Sequence, residues 1–255
     1  GTDQVFSLEF AGASFGVDTG FLVFNERTYP NLISLFAELG VDSVGSDMSF
    51  SVKLPLAGRM LEWAGSNLDT VFAQRANLFN PRFLRMVRDI LRFNREASAL
   101  ATGDGAMPRQ SLGDFLDERR YSAEFRNWYL LPMAACIWSC PAAQMLAFPA
   151  ATFIRFCHNH GLLQVSDRPR WRTVRGGSRT YVSKLLAAIP SRRLAMPVHS
   201  VTRSPQGGAR SIRVDSAAGA EHVDQVVFAC HSDQALALLA DARDDERAVL
   251  GAIGY

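Results

Sequence analysis

A long uncharged stretch constrains the fold of this chain more than any other feature of its sequence. Residues 127–154, between Arg126 and Arg155, contain no Asp, Glu, Lys or Arg. A run of this length could span a bilayer, but Pro132, Pro141 and Pro149 interrupt it. Proline fits the first turn of a helix better than its interior. We therefore predict three short helices that line an apolar interior, and a membrane span is the less favoured alternative.

The composition is that of an ordinary globular protein. Of the 255 residues, 48% are hydrophobic and 20% are charged, which is enough apolar material for a substantial core. The net charge is only +2, so no nucleic-acid partner is expected. The first residues lack the pattern of a signal peptide. We therefore expect a cytoplasmic protein with four reduced cysteines.

Local patterns predict a mixed α/β (α+β) fold. Apolar periodicity and turn residues predict strands at 5–10, 14–24 (broken at Gly20) and 48–52, with a looser region at 61–63. Helices are predicted from Pro30 to Gly40, over 81–98, and after Ser111 as a cap. The remaining ranges are a short strand at 171–174, a strand meander at 193–196, 197–203, 210–215 and 222–230, a helix at 232–242, and a last helix from 244.

Two places suggest ligand contacts. Gly176 and Gly177 separate the strand-like run from a helical pattern, and glycines at such a turn let a backbone approach a phosphate or a flat cofactor. No G-x-G-x-x-G fingerprint occurs in the chain. His231 follows a predicted buried strand and precedes a helix, where ligands often bind in α/β sheets. Asp18 could orient a ligand hydroxyl, although a lone Asp is more often a turn residue.

Metal and lipid sites are weaker alternatives. Five residues could imitate a zinc set, namely Cys136, Cys140, Cys157, His158 and His160. Cysteine in an apolar helix usually behaves as a small hydrophobe, so we predict no metal site. The arginines of 85–95 could contact anionic lipid, which would make the protein peripherally membrane-associated, but a solvated helix face is favoured.

Four blocks of the sequence carry a resemblance to a known family. Residues 17–41, 128–165, 168–185 and 226–239 resemble the predicted NAD/FAD-binding proteins of the flavin-containing amine oxidoreductase superfamily. Monoamine oxidases, phytoene desaturases and protoporphyrinogen oxidases belong to that superfamily. The resemblance implies an FAD cofactor and a two-domain fold. Residues 1–45 and 166–242 would be portions of the FAD-binding domain, and 46–165 and 243–255 portions of the substrate-binding domain.

The same resemblance implies cofactor-binding residues. The motif VDTGF resembles the segment that passes the flavin and implicates Asp18, Thr19 and Gly20. The motif RGGS resembles the glycine turn near the flavin and implicates Gly176 and Gly177. The motif PVHSV resembles the strand whose backbone at Val198 meets the adenine. Cys230 and His231 in FACHSDQ stand near the dinucleotide, where relatives often have a proline.

The chain is expected to be an internal piece of such an enzyme, lacking the strand–G-x-G-x-x-G–helix unit and the C-terminal segment. An FAD-binding sheet without that unit would expose an edge, so a homodimer is one expected arrangement. The predicted function is hydride transfer to flavin from an apolar substrate, an acyl compound or an amine. A non-catalytic module that binds lipid or another apolar ligand, or a Cys/His metal-binding protein, stays an alternative. The sequence identifies no catalytic side chain.

Overall fold

The computed structural model describes residues 5–56, 58–103, 106–164, 168–204 and 211–253. Contacts divide the chain into two units, Gly1–Leu185 and Leu186–Tyr255. Helices and antiparallel strands occur in both, which confirms the predicted mixed α/β class.

Seven strands of the first unit form three separate antiparallel sheets. The strands are β1 (Val5–Phe10), β2 (Ala13–Asp18), β3 (Phe24–Asn25), β4 (Ser43–Ser46), β5 (Ser51–Leu56), β6 (Arg59–Ala64) and β7 (Trp171–Val174). β1 pairs with β2 and β5 with β6 as hairpins, whereas the third sheet has the order β3-β7-β4. Strand β7, near position 172, therefore pairs with β3 and β4 from the first 46 residues. The predicted strand at 48–52 in fact begins at Ser51, and the region at 61–63 is its hairpin partner.

Nine helices begin in the first unit, within the described ranges. They are α1 (Pro30–Glu38), α2 (Leu68–Val71), α3 (Pro81–Thr102), α4 (Leu112–Glu118), α5 (Ala123–Phe125), α6 (Leu131–Trp138), α7 (Ala142–Ala147), α8 (Ala150–Asn159) and α9 (Arg179–Ala188). A 3₁₀ turn covers Arg75–Phe79. The predicted cap at Ser111 is confirmed, since its Oγ accepts from the N–H of Asp114 at 3.1 Å. Asn80 caps α3 in the same way, with Oδ1 accepting from the N–H of Arg82 at 3.1 Å.

The uncharged stretch forms short helices, as predicted. It contains α6 and α7 and the first half of α8, and Pro141 and Pro149 are the N-cap residues of the last two. Among the described residues, no helix is both long enough and apolar enough to cross a membrane. Much of the stretch packs into the main core, where Phe153 and Ala134 are fully buried together with Phe93 of α3.

The apolar cores of the first unit draw on different parts of the chain. The two larger cores draw only on residues between Phe50 and Leu163. The third is built from Phe24, Phe36 and Val174, which come from both sides of that range. This separation is what two interleaved domains would produce, while the domain boundaries themselves stay a prediction.

The second unit contains an antiparallel meander and two helices. Its elements are β8 (Val198–Arg203), β9 (Ile212–Ser216), β10 (Gly219–Val223), α10 (Ser232–Leu238) and α11 (Asp244–Gly251). The strand order is β10-β9-β8. Arg203 links β8 to α11 and to the turn that precedes it. Its guanidinium donates to Asp241, in that turn, at 2.9 Å and to both carboxylate oxygens of Glu246, in α11, at 2.7 and 2.8 Å.

Two strand predictions in this unit are wrong. Residues 193–196 form bends and no strand, and the predicted buried strand at 222–230 reduces to the end of β10. Residues 224–230 pair with no described strand, and Val227 is 89% exposed. β-Branched residues favour a strand only where a partner strand and a covered face exist. The description of His231 as following a buried strand is therefore also wrong.

Candidate functional site

A cavity of about 930 Å³ lies in the first unit. Its walls come from the segments 20–23 and 45–50, from the region 129–138 that ends with α6, from 156–162 at the end of α8, and from 168–171 at the start of β7. The volume is in the range of small-molecule sites. The uncharged stretch thus lines an apolar interior, as the sequence predicts.

Aromatic rings form one wall of the cavity around His160. Its ring centroid lies 4.0 Å from that of Phe156, with the planes 22° apart, and 6.3 Å from that of Trp171, with the planes 13° apart. Tyr29 meets His160 edge-on at 6.3 Å. Asn25 sets the turn before Tyr29, since its Oδ1 accepts from the N–H groups of residues 27 and 28 at 3.0 and 2.9 Å. The wall offers flat, nearly parallel faces.

His160 presents a hydrogen-bond acceptor to this cavity. Its Nδ1 lies 3.0 Å from the carbonyl oxygen of Phe156. A carbonyl can only accept, so Nδ1 carries the hydrogen and the neutral ring has its lone pair at Nε2. Within the described ranges, Nε2 has no protein partner. In this tautomer Nε2 of His160 can accept a hydrogen bond from a ligand.

Tyr129 reaches the cavity from a π-helical turn, Arg126–Leu130. Pro132 explains the turn, because it has no N–H to continue the α-helical ladder, and Leu131 instead donates its N–H to the carbonyl of Arg126. Such turns often occur at functional sites. Burial raises the pKa of Tyr129 above its ordinary value, and Arg168 acts in the opposite direction. Tyr129 stays a neutral phenol at ordinary pH.

The residues predicted at the two glycine motifs come together. The carboxylate of Asp18 accepts from the N–H of Ser178, with Oδ1 at 3.0 Å and Oδ2 at 3.1 Å, at the start of α9. Gly176 and Gly177 have φ of +80° and +84°, and a β-carbon on Gly177 would lie 3.4 Å from Asp18. The double glycine thus faces a carboxylate of its own chain. Thr19 is exposed beside it.

Only one of these five predicted residues lines the cavity. Gly20 does so together with Phe21 and Leu22, whereas Asp18, Thr19 and the two glycines of the RGGS turn do not. The VDTGF motif therefore connects the turn to the cavity wall. The roles of these residues toward a cofactor stay predictions.

The remaining predicted site residues belong to the second unit. Val198 begins β8 and is 37% exposed. Cys230 and His231 are exposed at the start of α10, where the N–H of His231 donates to Gln234 Oε1 at 3.3 Å in a capping box. Their assignment to a dinucleotide site likewise stays a prediction.

The proposed zinc set does not assemble. In the described part of the chain, no group of three His, Cys, Asp or Glu side chains is arranged to hold a metal ion. Cys157 is buried, and burial raises the pKa of its thiol to about 12. Cys136 is exposed at the cavity. The cysteines thus act as packing residues or free thiols in this fold.

The arginine face of α3 compensates two buried carboxylates. Arg82 contacts Glu124 at 2.7 Å, and Arg88 and Arg92 contact Asp89 at 3.4 and 3.7 Å. Burial alone would raise the pKa of Asp89, but hydrogen bonds from Ser122 and the two arginine charges outweigh it and lower the pKa. Pairing weakens the attraction of this face for anionic lipid, and lipid contact and self-association both stay predictions.

Several solved structures share the fold of this chain. No protein-family model matches the sequence, and neither does any curated protein. Cyclohexylamine oxidase from Brevibacterium oxydans IH-35A is 18% identical with a TM-score of 0.69, and the match covers 98% of this chain and 55% of that one. Wild-type putrescine oxidase bound to putrescine is 15% identical, with a TM-score of 0.67 and coverages of 97% and 55%.

The chain has the fold of part of an amine oxidase. A fatty acid isomerase from P. acnes, described as producing CLA, shares the fold at 14% identity and a TM-score of 0.59. The chain covers 54% of that structure and spans about half the length of the others. The fold that the sequence resemblance implies is thus confirmed, while membership of the superfamily stays a prediction.

Several cavity residues were not predicted from the sequence as site residues. Tyr29, Tyr129, Arg168, Arg170 and Trp171 line the cavity, as does His160, which was considered from the sequence only as a metal ligand. The one sequence signal for them is the uncharged stretch, which contains Tyr129. The others come from three separate segments, and no local pattern indicates that these segments meet.

Proposed function

We propose that this chain is the part of a flavin-dependent oxidoreductase that encloses an apolar substrate against the flavin. The likeness to two amine oxidases over nearly the whole chain supports the reaction class. The cavity, with its aromatic wall, is the single observation that carries the proposal to this chain. A flat cofactor and an apolar substrate both fit such a site.

The residues present fit the flat end of FAD. Gly20, Gly45, Gly65 and Gly161 line the cavity, so its backbone is accessible at these points. A β-carbon at Gly45 would meet no atom within 4 Å, which indicates open space where a planar group can lie. The aromatic wall at Trp171 offers a stacking face. The 255 residues contain no G-x-G-x-x-G turn, so no residue here is assigned to the pyrophosphate.

FAD, when bound, supplies the acceptor for a hydride from the substrate. The chain itself contributes binding and orientation. Phe156 and Ile137 exclude water and hold an apolar substrate, and Tyr129 offers a neutral hydroxyl. His160 accepts a hydrogen bond at Nε2 and can take up the proton that a C–N or C–C oxidation releases.

The test begins with the protein expressed from its complete gene, so that any residues outside these 255 are included. Purified protein should contain extractable flavin and show the visible absorbance of an oxidised isoalloxazine. Trp171→Ala should weaken flavin retention, because it removes the stacking face at the cavity. Phe79→Ala is the matched control, since Phe79 is 89% exposed and does not line the cavity.

A colourless protein that takes up no added FAD would contradict the proposal. If that protein still binds apolar ligands in the cavity, the non-catalytic binding module becomes the better description. Loss of flavin in both variants would indicate general destabilisation and would remove Trp171 from the site.

A further inference from the structure

Two arginines occupy one side of the cavity. Arg168 and Arg170 both line it and both are exposed, so they lie where the cavity opens to solvent. Pro169 separates them along the chain, and Trp171 follows directly as the first residue of β7. Cationic groups therefore stand next to the aromatic wall.

The backbone holds Arg168 in place. Its Nε donates to the carbonyl of Gln164 at 2.9 Å, and its Nη1 donates to the carbonyl of Gly65 at 3.2 Å. A guanidinium has five N–H donors, so three remain without a partner among the described residues. In the described ranges no carboxylate forms an ion pair with Arg168 or Arg170. A guanidinium fixed in this way loses little freedom when it binds an anion.

The other charged group on the cavity wall is Asp47. It is exposed in the segment between β4 and β5 and is the one carboxylate among the described lining residues. The described lining therefore contains two positive charges, of which Arg168 is held by the backbone, and one negative charge, besides His160. This balance favours an anionic ligand over a cationic one.

We infer that the ligand of this cavity is an apolar chain or ring that bears a carboxylate, with the carboxylate held by Arg168 and assisted by Arg170. The inference rests on the proposed function in that the ligand would be the substrate of the flavin reaction. The apolar part lies against Phe156 and Ile137. The remaining N–H groups of Arg168 can donate charge-assisted hydrogen bonds to a carboxylate, whereas an alkylammonium group has no acceptor for them.

The experiment compares three ligands that share one alkyl chain. Decanoate, decan-1-ol and decylamine are titrated below their micelle-forming concentrations into the protein from the complete gene. Binding is measured by calorimetry and by tryptophan fluorescence, because Trp138 and Trp171 line the cavity. Decanoate should bind at least about tenfold more tightly than decan-1-ol, since a charge-assisted hydrogen bond contributes enough for that ratio. Decylamine should bind no more tightly than decan-1-ol.

Three variants connect the preference to the arginines. Arg168→Gln should bring decanoate to within about twofold of decan-1-ol, and Arg170→Gln should reduce the preference by a smaller factor. If Arg168→Gln does not fold, Arg170→Gln still tests the inference. The bonds from Arg168 to the carbonyls of Gln164 and Gly65 are intact in that variant. Arg155→Gln is the matched control, an exposed arginine of α8 that does not line the cavity.

Equal binding of all three ligands by the wild type, or tighter binding of decylamine, would overturn the inference. An unchanged decanoate preference in both Arg168→Gln and Arg170→Gln would also overturn it. Flavin content is measured on the same samples. A yellow protein without the preference leaves the proposed function in place, and a colourless protein with the preference leaves the carboxylate site in place.

Discussion

Gly161 offers the sharpest test of the cavity geometry, because the chain contains a matched control. Gly161 follows α8 with φ of +68°, and Gly40 follows α1 with φ of +60°. The residue after each glycine donates its N–H to the carbonyl five residues earlier, at 2.9 Å after α8 and 2.8 Å after α1. Both helices thus end in the same Schellman arrangement.

The surroundings of the two glycines differ. A β-carbon at Gly161 would lie 2.5 Å from Cδ and 2.8 Å from Cγ of Pro169, between the two arginines of the cavity. At Gly40 the nearest atom would be Lys184 Nζ, at 3.7 Å and at the end of a flexible side chain. Alanine at Gly161 therefore requires a shift of a rigid ring, and alanine at Gly40 does not.

The expected losses follow from these contacts. A left-handed conformation destabilises alanine by about 1–2 kcal/mol relative to glycine. The lower conformational entropy of the unfolded chain with alanine stabilises the folded state by about 0.4–1 kcal/mol. Gly40→Ala should therefore lower the free energy of unfolding by about 1 kcal/mol. Gly161→Ala adds overpacking of about 1–3 kcal/mol, for a total loss of about 2–4 kcal/mol.

Urea denaturation followed by tryptophan fluorescence measures this difference in the first unit alone. All four tryptophans, Trp63, Trp128, Trp138 and Trp171, lie before Leu185. Equal losses in the two variants, within about 0.5 kcal/mol, would refute the contact between Gly161 and Pro169. Gly161→Ala should also weaken decanoate binding, whereas Gly40→Ala should not.

Three further outcomes are expected. Hydrogen bonds from Arg203 lower the pKa of Glu246 from 4.5 to about 2, so this pairing stabilises the folded state above pH 4.5 and the stabilisation is lost as the pH falls toward 2. Thermal unfolding of the Arg203→Gln variant should not show this loss, and an unchanged pH dependence would refute the pairing. Cys157 should resist iodoacetamide at mildly alkaline pH while the exposed Cys136 reacts, because burial raises the pKa of the Cys157 thiol to about 12. Mass spectrometry measures the labelling, and equal labelling of both cysteines would contradict the burial of Cys157. Phe93→Ala should lower the free energy of unfolding by about 3–5 kcal/mol in urea, and a loss below about 1 kcal/mol would contradict its place in the core.

Helix boundaries were the most predictable part of the fold. Pro30 and Pro81 begin α1 and α3, and Ser111 caps α4, as their sequence positions indicate. A cap is a contact between residues two or three positions apart, so the information is local. For the same reason Gly40 could be recognised as the end of a helix.

Strands were less predictable, because a strand needs a partner that the local sequence does not specify. Residues 222–230 have strand-forming composition, yet residues 224–230 pair with no described strand. Residues 61–63 have weaker strand character, yet they lie in β6 because β5 pairs with them. Burial and pairing outweighed β-propensity in both places.

The sequence by itself determined that residues 127–154 would be short helices around an apolar interior, since charge-free composition and prolines act locally. Its resemblance to a family also indicated the fold. Only the tertiary structure decided which residues face the cavity. His160, Arg168 and Trp171 meet segments near positions 20 and 45 there, and Asp18 meets Ser178 across 160 positions of chain. Such contacts depend on how distant segments pack, and no periodicity or spacing in a single sequence encodes them.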